Sequence, residues 1–182
     1  MNTPDNKRRR KSKEKIMKAF VRQLQDKELA EISVTEICQE AEINRSTFYA
    51  NYLDIYDLAD QFGEMMLKGF LDMYAEEIEY HYHSYNFAKL LQSIKENPLV
   101  YEAFIKLDIQ ASDFLGNKLQ FEGIDLNKTE LKYSHEFVKA GMNAVIKRWI
   151  LDGCAEPPSK IEKVLQRYMK AGEEDLADSK KI

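Results

Sequence analysis

Between Ser33 and Tyr52 the chain carries two helix starts in close succession, each followed by only a few apolar positions. Only packed helices can use such a pattern. Ser33 followed by Glu36 reads as a capping box, in which the hydroxyl accepts from the Glu36 N–H and the carboxylate reaches back to the Ser33 N–H. Val34, Ile37, Cys38 and Ala41 then share one side of a short helix, and Glu42-Ile43 breaks it. Asn44 suits the N-cap of a second short helix, Arg45–Ala50. Ahead of both, Ile16, Phe20 and Leu24 recur at the four-residue spacing of one helix face, with Met17 beside them, from about Ser12 to Gln25.

The same periodicity runs through the rest of the chain. Four prolines and seven glycines among 182 residues, with little Val/Thr alternation, leave no case for a sheet. Asp54 is expected to cap a long helix reaching about Tyr80. Further helices are expected over 87–95, 99–107, 112–119, 131–151 and 160–170, the last opened by Pro157-Pro158 and the one before it closed by Asp152-Gly153. The expected fold is all-α with about nine helices. Its parts are a basic disordered tail (1–11), a three-helix helix-turn-helix domain (12–54), a helical regulatory and dimerisation domain (55–172) and a polar tail (173–182).

Two short helices behind an amphipathic one form the helix-turn-helix layout, whose second helix enters the major groove of DNA. Arg45, Ser46, Thr47, Tyr49 and Asn51 have the polarity and reach for that work. Arg45 can fork onto a guanine edge, Thr47 can meet a thymine methyl or a phosphate, and Tyr49 and Asn51 can donate to phosphates. Ser33, Thr35, Asn44 and Tyr52 complete the expected DNA-contacting set. Phe48 and Tyr52 are also placed to anchor the helix against Ile16, Phe20 and Ile37.

The net charge is −4, but its distribution is uneven. Lys7, Arg8, Arg9, Arg10, Lys11, Lys13, Lys15, Lys18 and Arg22 face only Asp5 and Glu14 in the first 24 residues, so one end attracts a polyanion and the remainder repels it. Other functions find little support. There is no Gly-rich phosphate loop, no G-x-S-x-G and no HExxH, so no enzyme is expected. Cys38 and Cys154 are expected to be buried thiols. His81 and His83, two apart, do not share a helix face, and neither a metal nor a cofactor is expected. No apolar stretch spans a bilayer and the N-terminus lacks a secretory h-region, which makes the cytoplasm the expected compartment.

Residues 33–58, SVTEICQEAEINRSTFYANYLDIYDL, resemble the DNA-binding signature of the tetracycline-repressor (TetR) family at Thr35, Ile37, Cys38, Ala41, Ile43, Asn44, Thr47, Phe48, Tyr49 and Leu58, with Tyr52 for the usual Phe. Two positions depart from it. Glu42 stands where the turn has Gly, and Ile55 where a Lys usually meets a phosphate. The basic run Lys7–Lys11 is expected to compensate by lying along the DNA backbone or in the minor groove. Toward the other end, Tyr133, Phe137, Gly141, Trp149-Ile150, Gly153 and Pro158 are similar to a C-terminal domain of a subgroup of that family. The resemblance implies a homodimer whose interface is a four-helix bundle, here drawing on Phe137, Gly141, Ala144, Val145, Arg148, Trp149, Ile161, Val164, Leu165 and Tyr168. It also implies a cavity for a small-molecule inducer among the middle helices, where Phe62, Met66, Phe70, Tyr74, Tyr101, Phe104 and Phe114 are candidate lining residues. The resulting expectation is a repressor that binds a palindromic double-stranded operator and is released by an inducer. The alternative is an adaptor that keeps the fold but acts through a protein partner with weak or no DNA binding.

Overall fold

Ile16, Phe20 and Leu24 are 0%, 0% and 1% exposed, and the helix they define anchors the first half of the molecule. The computed structural model describes residues 4–75, 87–107 and 128–178, and the chain divides into two compact units. The first comprises Met1–Met66 with Leu99–Ile109, so it takes in more than the expected 12–54 domain. The second comprises Leu67–Pro98 with Gln110–Ile182. The described residues form eight α-helices and no strand: α1 (Pro4–Asp26), α2 (Val34–Glu40), α3 (Arg45–Tyr49), α4 (Ile55–Met73), α5 (Ala88–Glu96), α6 (Pro98–Lys106), α7 (Lys128–Leu151) and α8 (Pro158–Asp178). The expected helix over 112–119, the far end of α4 and His81 and His83 lie outside the described residues.

In the first unit α1 begins at Pro4 rather than Ser12, which makes the basic run helical and corrects the disordered tail. Proline at a first helical position forgoes an N–H that would have no partner anyway. Lys and Arg are good helix formers, and Arg10 pairs with Glu14 one turn on, Nε to Oε1 at 3.7 Å. The expected capping box of α2 is present. Glu36 N donates to Ser33 Oγ at 3.3 Å and Ser33 N donates to Glu36 Oε2 at 3.1 Å. The helix closes with Ile43 N to Cys38 O (3.0 Å) and Glu42 N to Gln39 O (3.2 Å), the paired bonds of a Schellman turn. Glu42 therefore takes the left-handed backbone, φ 53°, at the position where glycine fits without strain. Asp54 accepts from Asp57 N at 2.9 Å and opens α4. From there Ile55, Leu58, Ala59, Phe62 and Met66 follow the helical period into the core. Segment α6 belongs to this unit from Leu99 onward: Gln25 Nε2 donates to Leu99 O at 3.2 Å, and the Lys106 ammonium lies 3.4 Å from Glu28.

In the second unit α8 packs on α5 and α7. Leu90, Leu91 and Ile94 of α5, Met142, Ile146, Trp149 and Ile150 of α7, and Ile161 and Leu165 of α8 are buried. Helix α7 ends on another Schellman turn, with Cys154 N to Trp149 O and Gly153 N to Ile150 O, both 2.9 Å, and with Gly153 at φ 71°. The bend into α8 is tied from two sides. Lys95 Nζ donates to Cys154 O at 2.8 Å and Trp149 Nε1 donates to Glu156 O at 3.1 Å. Helix α8 runs on to Asp178, past the expected start of the polar tail at 173. Cys38 and Cys154 are free, buried thiols. Among the described residues no helix is long and apolar enough to cross a membrane, and no group of three or more His, Cys, Asp or Glu gathers to hold a metal.

Candidate nucleic-acid interface

Helix α3 has only five residues and cannot persist on its own propensity. Its one buried side chain anchors it. Phe48 is 0% exposed, with its ring centroid 5.5 Å from Tyr49 and 5.6 Å from Tyr52. With that face buried, Asn44, Arg45, Ser46 and Tyr49 are exposed and Thr47 is half-buried. Asn44 holds the N-cap position with extended backbone but makes no side-chain capping bond, so its amide remains available to a ligand. The neighbouring Tyr49 phenol holds the Arg45 guanidinium pKa above its ordinary value. The two side chains most suited to base edges and phosphates thus stand together on the outer face.

Two of the expected contact residues are used differently. Tyr52 is 3% exposed, with Lys13 Nζ 5.3 Å above its ring, so it supports α3 from beneath rather than facing outward. Burial is the main cause that pushes its phenol pKa up, with Asp57 second. Asn51 is occupied at both ends of its amide: Nδ2 donates to Thr47 O at 2.8 Å, and Oδ1 accepts from Arg9 Nε at 3.1 Å. Because arginine only donates, this orientation of the amide is chemically determined. Arg9 belongs to the basic run expected to meet DNA, but its contact with Asn51 was not expected. Its signal was present in the spacing, since Arg9, Lys13, Ile16 and Phe20 recur as one helix face that runs from charged to apolar.

Ser33 and Thr35 are exposed at the start of α2. The Ser33 hydroxyl also donates to Glu36 Oε2 at 2.8 Å, and Lys27 Nζ reaches Glu36 Oε1 at 2.6 Å. Lys27 first, then Ser33, lowers the Glu36 pKa from 4.5 to about 2. A carboxylate depressed in the folded state stabilises it above the unfolded value and loses that contribution as pH falls toward the folded one. Thermal melts should therefore show parent and Glu36→Gln furthest apart near neutrality and converging between pH 4.5 and 2; a gap independent of pH would contradict the assignment. Ile55, at the position where the resemblance expects a phosphate-binding lysine, is 6% exposed and belongs to the core.

The candidate inducer-pocket residues fall in both units and, for one of them, outside the described residues. Phe62 (0% exposed) meets Phe20 and Phe104 edge-on, with centroids 6.0 Å and 6.3 Å away, and Met66, Tyr101 and Phe104 are buried with it in the first unit. Phe70 is buried and Tyr74 half-buried in the second, and Phe114 lies outside the described residues. The candidate dimer residues divide by helix face. Trp149, Ile161 and Leu165 are interior to the second unit, and Val145 and Val164 are half-buried. Phe137, Gly141, Ala144, Arg148 and Tyr168 are exposed, with Arg148 held to Asp152 at 2.8 Å.

Residues 67–171 match a TetR-type family model described as a transcriptional regulator C-terminal region. No curated protein matches the chain. Among solved structures it is similar to the "Dihydroxyacetone kinase operon activator DhaS", at 20% identity and a TM-score of 0.55, over 88% of this chain and 95% of that one.

Proposed function

Since the chain belongs to the TetR family of transcriptional regulators, we propose that it is a homodimeric DNA-binding regulator whose α3 reads a half-site in the major groove. The observation that carries this reading is the two-sidedness of α3: Phe48 is buried to the last atom while Arg45, Ser46 and Tyr49 are left outside. Selection of bound duplexes from a random pool is the direct test. It should return a two-fold symmetric sequence, and recovery of no enriched sequence would overturn the reading in favour of an adaptor that works through another protein. On the recovered duplex, Arg45→Ala should lose roughly 1–3 kcal/mol and relax the preference at one base pair per half-site. Its helix content should match the parent's, because the side chain is exposed. Unchanged affinity would remove Arg45 from the interface.

The dimer is supported by an uncovered stripe on α7. Phe137 (81% exposed), Gly141, Ala144 and Leu151 (57%) follow one another along one helix face, opposite the buried Met142, Ile146 and Trp149. A Cβ added at Gly141 would meet nothing within 4 Å in the monomer. Gly141→Leu should therefore leave the monomer fold intact, and even favour the helix by up to about 1 kcal/mol, while abolishing dimers in sedimentation equilibrium. A dimer that survives the bulky side chain would place the interface elsewhere.

The remaining parts of the proposal are the direction and the trigger of regulation. Binding across a promoter represses by occlusion, and an inducer among the middle helices releases it. The similar solved structure bears the name of an activator, so a promoter reporter with and without the regulator distinguishes the two directions.

A further inference from the structure

Helix α1 begins two turns earlier than its apolar face requires, and those turns are made of positive charge. Lys7, Arg8, Arg9, Arg10 and Lys11 are all exposed. Arg9 is directed at the end of α3: Nε donates to Asn51 Oδ1 at 3.1 Å and Nη2 to Ala50 O at 3.5 Å. Asn51 passes the contact on, its Nδ2 donating to Thr47 O at 2.8 Å within α3. The next turn is fastened to the same neighbourhood, with Lys13 Nζ donating to Gln61 Oε1 at 3.2 Å and lying over the Tyr52 ring. Helical spacing then puts Lys7 and Lys11 on the face opposite Arg9, with Arg8 and Arg10 on the flanks.

We propose that the first turns of α1 are a second DNA-contacting element, which grips backbone phosphates flanking the half-site and is held in register with α3 by the Arg9–Asn51 bridge. The inference rests on the proposed function. It differs from a disordered basic arm in that the charges are already spaced and oriented, so binding does not have to order the segment. It also locates the positive charge that Ile55 does not supply, because Ile55 is core and these residues are outside. Asn51 is on this view a positioning residue: its amide links the element that reads bases to the element that holds the backbone.

The test uses full-length protein and the duplex recovered by selection, with anisotropy titrations at several salt concentrations. Each phosphate contact contributes about 0.9 to the slope of log affinity against log salt. Lys7→Gln with Lys11→Gln should lower that slope by about 2, weaken binding most at low salt and leave base preference unaltered. Asn51→Ala changes no charge, so a slope reduced part of the way toward the double variant, with base preference and melting temperature kept, would report lost register. Lys89→Gln, at an exposed position of α5, should behave as the parent. A parent that binds no duplex would overturn the proposed function and this inference with it. A parent that binds, with the slope unchanged in the double variant, would overturn this inference alone. An unchanged slope in Asn51→Ala would remove the bridge from it.

Discussion

Phe48→Ala is expected to destabilise the first unit by roughly 3–5 kcal/mol and to abolish sequence-selective DNA binding. The ring is 0% exposed and is the one fully buried side chain of α3. Removing it deletes the ring contacts to Tyr49 and Tyr52 and leaves a cavity under a helix too short to stand alone. Against a typical domain stability of about 5–15 kcal/mol, that loss is a large fraction. Phe48→Leu separates the two effects, because it keeps most of the volume, should cost less than about 1.5 kcal/mol and should retain operator binding. Denaturant melts and DNA titrations on both variants provide the check. A Phe48→Ala protein that melts and binds as the parent does would mean that α3 is held by something other than this ring.

Trp149→Ala should cost a comparable amount, roughly 3–5 kcal/mol, in the second unit. The indole is 2% exposed, and its N–H is one of the bonds that tie down the bend between α7 and α8. Truncation empties the interior and leaves the Glu156 carbonyl without that donor, an additional cost of about 1 kcal/mol. Trp149→Phe isolates the second effect, since a ring remains and only the donor is lost. Trp149 lies on the face opposite Phe137 and Gly141, so dimer loss in Trp149→Ala should follow unfolding, whereas in Gly141→Leu it should occur in a folded monomer. Sedimentation at several denaturant concentrations distinguishes the two. A folded, monomeric Trp149→Ala protein would place the indole at the subunit interface instead.

Much of this molecule follows from local rules. The Ser33–Glu36 box, the apolar period of α1, the Asp54 cap and the Gly153 turn each depend on atoms within one or two helical turns, and each is legible in the order of residues. The two-sidedness of α3 was legible for the same reason, because Phe48 is the large apolar residue in a short polar stretch. The departures are long-range. Nothing near Asn51 in sequence says that its amide is taken by Arg9, nor does anything near Tyr52 say that Lys13 covers its ring. The candidate pocket residues were less legible: Phe62 and Phe104 are aromatic on helical periods, which a core and a cavity satisfy equally, and their 6.3 Å edge-on contact is made between segments far apart in sequence.

Among the described residues the sequence alone determined which segments are helices, where most of them start and stop, and which face of each seeks the interior, because hydrogen bonding, capping and period act over a few residues. The tertiary structure alone decided which polar side chains remain outside to meet a ligand and which are used up in holding the framework, because that depends on what another part of the chain places within three ångströms of them.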